Sequence, residues 1–234
     1  MNLRYLALAA YGWLAANGHL LAQEAADAPK KKIGIFEAIG QAGAIGFVII
    51  GLSVVAGTLI VEHFMSIKRD KLAPPEAIDE VEELLNEGNY QEVLEYCEAE
   101  PTFFTNVVAA GVRKLNYPFS AVEKALEESE DEESVKLHQK IGWLSLIAGL
   151  GPMLGLFGTV VGMVGAFGTI ATEKSPEPSM FAGDIQLALM TTVLGLTVAI
   201  PVTAFYVFFR NRVTMLTIEI GGIVEELFER FREK

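Results

Sequence analysis

The sequence predicts an all-α integral membrane protein: three long transmembrane helices with a helical insert in water after the first. Three observations carry this. Glu37–Glu62, Lys140–Glu173 and Asp184–Arg210 enclose stretches without a single charged residue, each long enough to cross a bilayer, which takes about 20 apolar residues. The chain is 51% hydrophobic with a mean hydropathy of +0.36, so spanning helices must coexist with a polar portion. Within the second stretch glycines fall at 151, 155, 158, 162 and 165, in steps of 4, 3, 4 and 3. That spacing stacks them on one helix face, and a bare face lets another helix approach closely where hydrophobicity alone cannot drive association.

The same inventory excludes other classes. A formal net charge of −12 argues against nucleic acid as a partner, since phosphates call for Lys and Arg. The single cysteine, Cys97, has no internal disulfide partner and reads as a small buried apolar side chain. His19, His63 and His138 show no metal-ligand spacing. No phosphate-binding loop, nucleophile elbow, zinc-protease or dinucleotide fingerprint is present. Neither a cofactor nor a catalytic residue is expected.

Taken in order, residues 1–22 carry one early positive charge, Arg4, and an apolar run from Tyr5 to Ala16. They read as a signal peptide, with an uncleaved extra spanning helix as the alternative. Residues 23–36 would then begin the mature chain outside the cytoplasm. The first span covers 37–62. Lys68, Arg69 and Lys71 follow it directly, which places that end in the cytoplasm.

Residues 63–139 form the insert. From Pro74 to Val135 there are 17 acidic residues against Arg113, Lys114 and Lys124. Ile78, Val81 and Leu85 share one face, and Asn86 to Asn89 is a turn. Tyr90, Val93, Leu94 and Cys97 resume the helical period. Phe103, Phe104, Val107, Val108 and Val112 make a third amphipathic piece, and Ser120 with Glu123 predicts a capping box for a fourth. So small a domain is expected to pack on its neighbours. Glu127 to Glu133 reads as a solvated face.

The second span, 140–172, returns across the membrane, with Pro152 expected to bend it. Residues 173–183 read as an external loop. The third span, 184–209, places Ala188, Thr192, Gly195, Ala199 and Thr203 on a second small-residue face, with Thr191 beside it and Pro201 as another kink. Arg210 and Arg212 anchor its inner end. Residues 210–234 read as an amphipathic helix, with Leu216, Ile220, Ile223, Leu227 and Phe231 on one side. It would project roughly 30 Å into the cytoplasm.

Thr159 and Thr192 are the polar residues deepest in their spans. Each hydroxyl could bond its own helix. Together, on two facing small-residue surfaces, they point to a narrow polar path with Thr191 beside it. No span holds a carboxylate in its middle, and proton relays across membranes generally need an ionisable group. Either the threonines only pack, or the carboxylate comes from another polypeptide.

Two motifs carry a resemblance. One runs Gly155-Leu156-Phe157-Gly158-Thr159-Val160-Val161-Gly162-Met163. The other runs Ala188-Leu189-Met190-Thr191-Thr192-Val193-Leu194-Gly195-Leu196, followed by Ala199-Ile200-Pro201. With the order of spans and insert, they resemble the ExbB/TolQ/MotA ion-driven motor subunits, and most closely the ExbB/TolQ branch, from about residue 36 onward. The resemblance implies a ring-shaped homopentamer in the bacterial inner membrane. The ring would surround an ExbD/TolR-like single-span partner that supplies a transmembrane aspartate. Thr159 and Thr192 would line the ion path, and work would reach a TonB- or TolA-like protein. The implied function is to energise TonB-dependent transport across the outer membrane. A Tol-type envelope motor and a flagellar-type stator are the alternatives within the family. A structural membrane scaffold is the alternative class. One departure stands out: many chains of the ExbB/TolQ branch carry a glutamate five residues before the second threonine, where this sequence has Leu187, next to Gln186.

Overall fold

A computed structural model describes residues 43–232. The expected signal peptide, the segment after it and the start of the first span lie outside the described residues. Among the described residues seven helices follow one another: α1 (Gly43–Ser66), α2 (Arg69–Leu72), α3 (Pro75–Glu87), α4 (Tyr90–Ala99), α5 (Phe103–Val112), α6 (Phe119–Thr172) and α7 (Pro178–Glu229). No strand occurs among the described residues. Three of the helices, α1, α6 and α7, are long and apolar enough to cross a membrane. At 1.5 Å per residue, α6 and α7 are each about 80 Å long, more than twice the hydrocarbon thickness. Each therefore joins a spanning half to a water-facing half without a break.

The spanning halves invert the usual order of a soluble protein. Their large apolar side chains, such as Phe47, Met153, Leu156, Phe157, Val164, Leu189 and Ile200, point outward and are exposed. Their interior faces are built from glycine, alanine and threonine. In lipid this arrangement is stable, because tails solvate the outer residues and close backbone approach supplies the packing.

The apolar core lies at the other end, where α3, α4 and α5 pack on the extensions of α6 and α7. It includes Val81, Leu85, Val93, Cys97, Phe104, Val108, Val122, Ile141, Phe209, Val213, Ile220 and Phe228. Helix α5 is its centre, with eight of ten residues buried. At Gly111 a Cβ would collide with Leu126 and the Phe228 ring, so only glycine admits that contact. Gly88 ends α3 with φ +76°, a left-handed cap that glycine adopts without strain.

Several details depart from the sequence reading. The capping box is at Thr102, whose hydroxyl accepts from the Thr105 amide while the Thr105 hydroxyl accepts from the Thr102 amide. At Ser120 there is none: Pro118 is the N-cap of α6, and Ser120 already lies within the first turn, too late to cap it. Helix α7 begins at Pro178, because proline suits a first helical position. The irregular connection is then only Glu173–Glu177, shorter than the stretch read as a loop. Pro152 and Pro201, the expected kink positions, both lie inside continuous helices, so neither expectation is contradicted. The far end of α7 buries Val213, Leu216, Thr217, Ile220, Val224, Leu227 and Phe228. It packs within the chain instead of standing free of it, with Ile223 and Phe231 only partly covered.

Polar ties close the junction between the two halves. His63 is fully buried, with Nδ1 3.1 Å from Glu62 and Nε2 3.2 Å from the Lys140 carbonyl. Lys140 bridges back to Glu62 at 2.7 Å and donates to Ser66 at 2.8 Å. The Arg212 guanidinium donates to the Ile67 carbonyl at 2.9 Å. These contacts bind α1 to both long helices.

Candidate ion-path site

Helices α6 and α7 run antiparallel, and their small residues meet in register. A Cβ at Gly151 would lie 2.9 Å from the Gly195 carbonyl oxygen and 3.1 Å from Ala199 Cβ. One at Gly155 would lie 3.0 Å from Thr192 Cα, and one at Gly162 would lie 2.7 Å from the Asp184 carbonyl oxygen and 2.8 Å from Ala188 Cβ. At Gly195 it would strike the Gly151 carbonyl, and at Gly158 the Thr191 side chain. Four of the five glycines read as one stripe are thus buried on the seam. Gly165 is exposed, and Ala166 takes its place. The buried row steps 4, 3, 4 and 4, because an unsupercoiled helix drifts off a strict heptad.

On α7 the buried row is Ala188, Thr191, Gly195, Ala199 and Val202. Thr191, not Thr192, is therefore central to the seam, and Thr203 is exposed. Thr192 stands half-buried at the edge, as Thr159 does on α6. Helical spacing signalled the face, but not which of two adjacent threonines points straight into it.

At that edge the two hydroxyls meet, with Thr159 Oγ1 and Thr192 Oγ1 2.5 Å apart. Each also reaches across to the opposite helix. Thr159 Oγ1 lies 3.1 Å from the Ala188 carbonyl oxygen, and Thr192 Oγ1 3.1 Å from the Gly155 carbonyl oxygen. Thr159 reaches its own Gly155 carbonyl at 3.2 Å. The buried Thr191 hydroxyl lies 2.8 Å from the Ala188 carbonyl and 3.4 Å from that of Gly155. Three hydroxyls thus converge on two carbonyls from two helices. Bonding of each hydroxyl to its own helix describes only part of this; the cross-helix bonds are what join the pair.

The ionisable groups nearest in the chain stand aside. The Asp184 carboxylate lies over Gly165, 3.3 Å from the position of a Cβ there, about two turns from Thr191. Leu187 packs toward α1, with Cδ1 3.9 Å from the Cβ position of Gly43. Among the described residues no group of three His, Cys, Asp or Glu side chains could hold a metal ion.

Comparison with known proteins places this geometry in a family. Residues 99–221 match the model of the MotA/TolQ/ExbB proton channel family, a stretch that includes α5, all of α6 and the hydroxyl-bearing part of α7. A biopolymer transport protein ExbB homolog from Methanothermobacter thermautotrophicus is 26% identical over 181 residues, covering 76% of this chain and 64% of that protein. The Tol-Pal system protein TolQ of Haemophilus influenzae is 31% identical over 103 residues, covering 44% and 45%. The biopolymer transport protein ExbB of Salmonella typhimurium is 26% identical over 160 residues, covering 58% and 66%. The aligned parts thus span less than two thirds of the length of each of these relatives. With the match covering more than half of the 234 residues, including both half-buried hydroxyls, the chain belongs to the MotA/TolQ/ExbB proton channel family.

Proposed function

We propose that this chain is the membrane subunit of a proton-motive-force-driven motor that energises TonB-dependent transport across an outer membrane. It works as a homopentamer in the bacterial inner membrane, its N-terminus periplasmic and its C-terminus cytoplasmic. An ExbD/TolR-like single-span partner supplies a transmembrane aspartate, and a TonB- or TolA-like protein receives the work. The observation that carries the reading is the Thr159–Thr192 hydroxyl pair, 2.5 Å apart on a seam whose spans contain no carboxylate in their middle. A hydroxyl pair supplies polar oxygens to a passing proton but cannot bind one for long at neutral pH, so the carboxyl group comes from the partner. Each charge crossing releases about 2.3 kcal/mol per 100 mV, and several crossings together drive a large rearrangement.

Among the relatives a Tol-Pal protein stands beside the ExbB proteins, which supports a Tol-type envelope motor as the second reading. The test of the ion path is substitution in the reconstituted complex. Thr159→Ala and Thr192→Ala should leave assembly with the partner intact and abolish proton flux into proteoliposomes. Full flux through both variants would leave only the scaffold reading.

A further inference from the structure

Thr191 is the least exposed of the three seam hydroxyls, at 1%. Its side chain fills the space left by the missing Cβ of Gly158, so it lines no open path. Its hydroxyl nevertheless competes for the same two carbonyls as the half-buried pair.

Lone pairs decide the outcome. A carbonyl oxygen has two. In an α-helix one accepts the N–H four residues on, so Gly155 accepts from Thr159 and Ala188 from Thr192. One acceptor position remains on each carbonyl. Three hydroxyls, with one proton each, reach for these two positions. Thr191 makes the shortest contact, 2.8 Å to Ala188, against 3.4 Å to Gly155. At 2.8 Å Thr191 takes Ala188 ahead of Thr159 at 3.1 Å, so only the Gly155 position is left for Thr159 and Thr192, at 3.2 Å and 3.1 Å. Whichever donates there, the other must donate to its neighbour, and that accounts for the 2.5 Å separation of the two oxygens. Because the two distances to Gly155 are nearly equal, the shared bond runs equally well in either direction.

We infer that Thr191 is a positioning residue: by occupying the Ala188 carbonyl it forces Thr159 and Thr192 into one shared, reversible hydrogen bond. Reversal moves no net charge. It exchanges which oxygen donates to the other, so that a proton donor arriving at one oxygen is felt at its partner. Without the Thr191 hydroxyl, Thr159 donates to Ala188 and Thr192 to Gly155, each already within 3.1 Å, and the bond between them is lost. The inference rests on the proposed role of Thr159 and Thr192 in the ion path.

The test pairs Thr191→Val, which keeps the shape and removes the hydroxyl, with Thr191→Ser, which keeps the hydroxyl and removes the methyl. In the full chain reconstituted with its single-span partner, proton flux should fall at least tenfold in T191V and stay within twofold of wild type in T191S. Wild-type flux in T191V, or an equal loss in T191S, overturns the inference, because shape and not the hydroxyl would then be what matters. A second measurement needs no flux: hydroxyl-proton NMR of the full chain alone in lipid nanodiscs. The strongly downfield proton of the Thr159–Thr192 bond should persist in T191S and vanish in T191V; its survival in T191V overturns the inference. If T159A and T192A conduct normally while this signal behaves as expected, the ion-path reading fails and the positioning role stands.

Discussion

Gly162→Ala tests the seam where the geometry gives a definite displacement. The new Cβ would sit 2.8 Å from Ala188 Cβ and 2.7 Å from the Asp184 carbonyl oxygen. Both belong to the body of α7, so neither can swing away as a long side chain would. Carbon–carbon contact is comfortable from about 3.5 Å, so the helices must separate by about 0.7 Å at this turn. The Thr159–Thr192 bond that joins the helices, now 2.5 Å, would stretch to about 3.2 Å, outside the usual O–H···O range. Overpacking of this kind costs about 1–3 kcal/mol. Each interhelical hydrogen bond lost in a membrane adds about 0.6 kcal/mol, for a total of ~2–4 kcal/mol. Reversible unfolding of the full chain in mixed micelles measures this. Gly168→Ala is the control on the same helix, because nothing lies within 4 Å of its Cβ position. Equal stability of G162A and G168A would show that the backbone contact between α6 and α7 does not hold the pair together.

Two further predictions concern the inserted domain. Glu130 lies where Gly221 has no Cβ, and burial, then Asp131, Glu225 and Glu127, push its carboxyl above the usual glutamate range. The folded state therefore holds this proton to higher pH than the unfolded chain does, so its contribution is complete at low pH and is lost as pH rises through the raised value. Glu130→Gln should accordingly raise Tm at pH 8 and leave it nearly unchanged at pH 4; the same increment at both would refute the assignment. Cys97 is buried, and desolvation pushes its thiol from an ordinary 9.0 up to about 11. Its thiolate fraction at pH 8 is then about 100-fold below that of a free thiol. Maleimide labelling of the native chain should be slower than that of the denatured chain by at least that factor, and equal rates would contradict the burial.

Much of this was legible because membranes simplify the code. A run without charge must be a helix, since no other open structure satisfies its backbone in lipid, and a row of glycines must face another helix. The register of the seam was harder to read. Adjacent Thr191 and Thr192 differ by 100° around the helix, and the glycine row drifts from Gly162 to Ala166 instead of Gly165, a choice fixed by the path of α7. The Glu62–His63–Lys140 junction was illegible for another reason. Its contacts to Lys140 join residues 74 to 78 positions apart, and nothing in the local pattern of either helix announces them. The false capping box at Ser120 is a local misreading. Pro118 is the N-cap, two residues before the serine, and its carbonyl already accepts the Ala121 amide at 2.8 Å.

The lone-pair count also says what chemistry can approach the site. All three hydroxyl protons are directed to oxygens within it, at Gly155, Ala188 or the partner threonine. The half-buried edge therefore turns only unshared electron pairs outward. Such an edge welcomes a donor: a protonated carboxyl group or a water that carries its hydrogen forward. It repels an ionised carboxylate, which could be met only by withdrawing a hydroxyl proton from one of the internal bonds. Under the proposed function the partner aspartate would thus rest against Thr159 and Thr192 in its protonated form and move away once it ionises. Leu187 stands apart from this edge, packed toward α1. Under the same proposal the direction of the motor follows from which side of the membrane reloads the carboxyl group, and this chain contributes a surface that binds one of its two states.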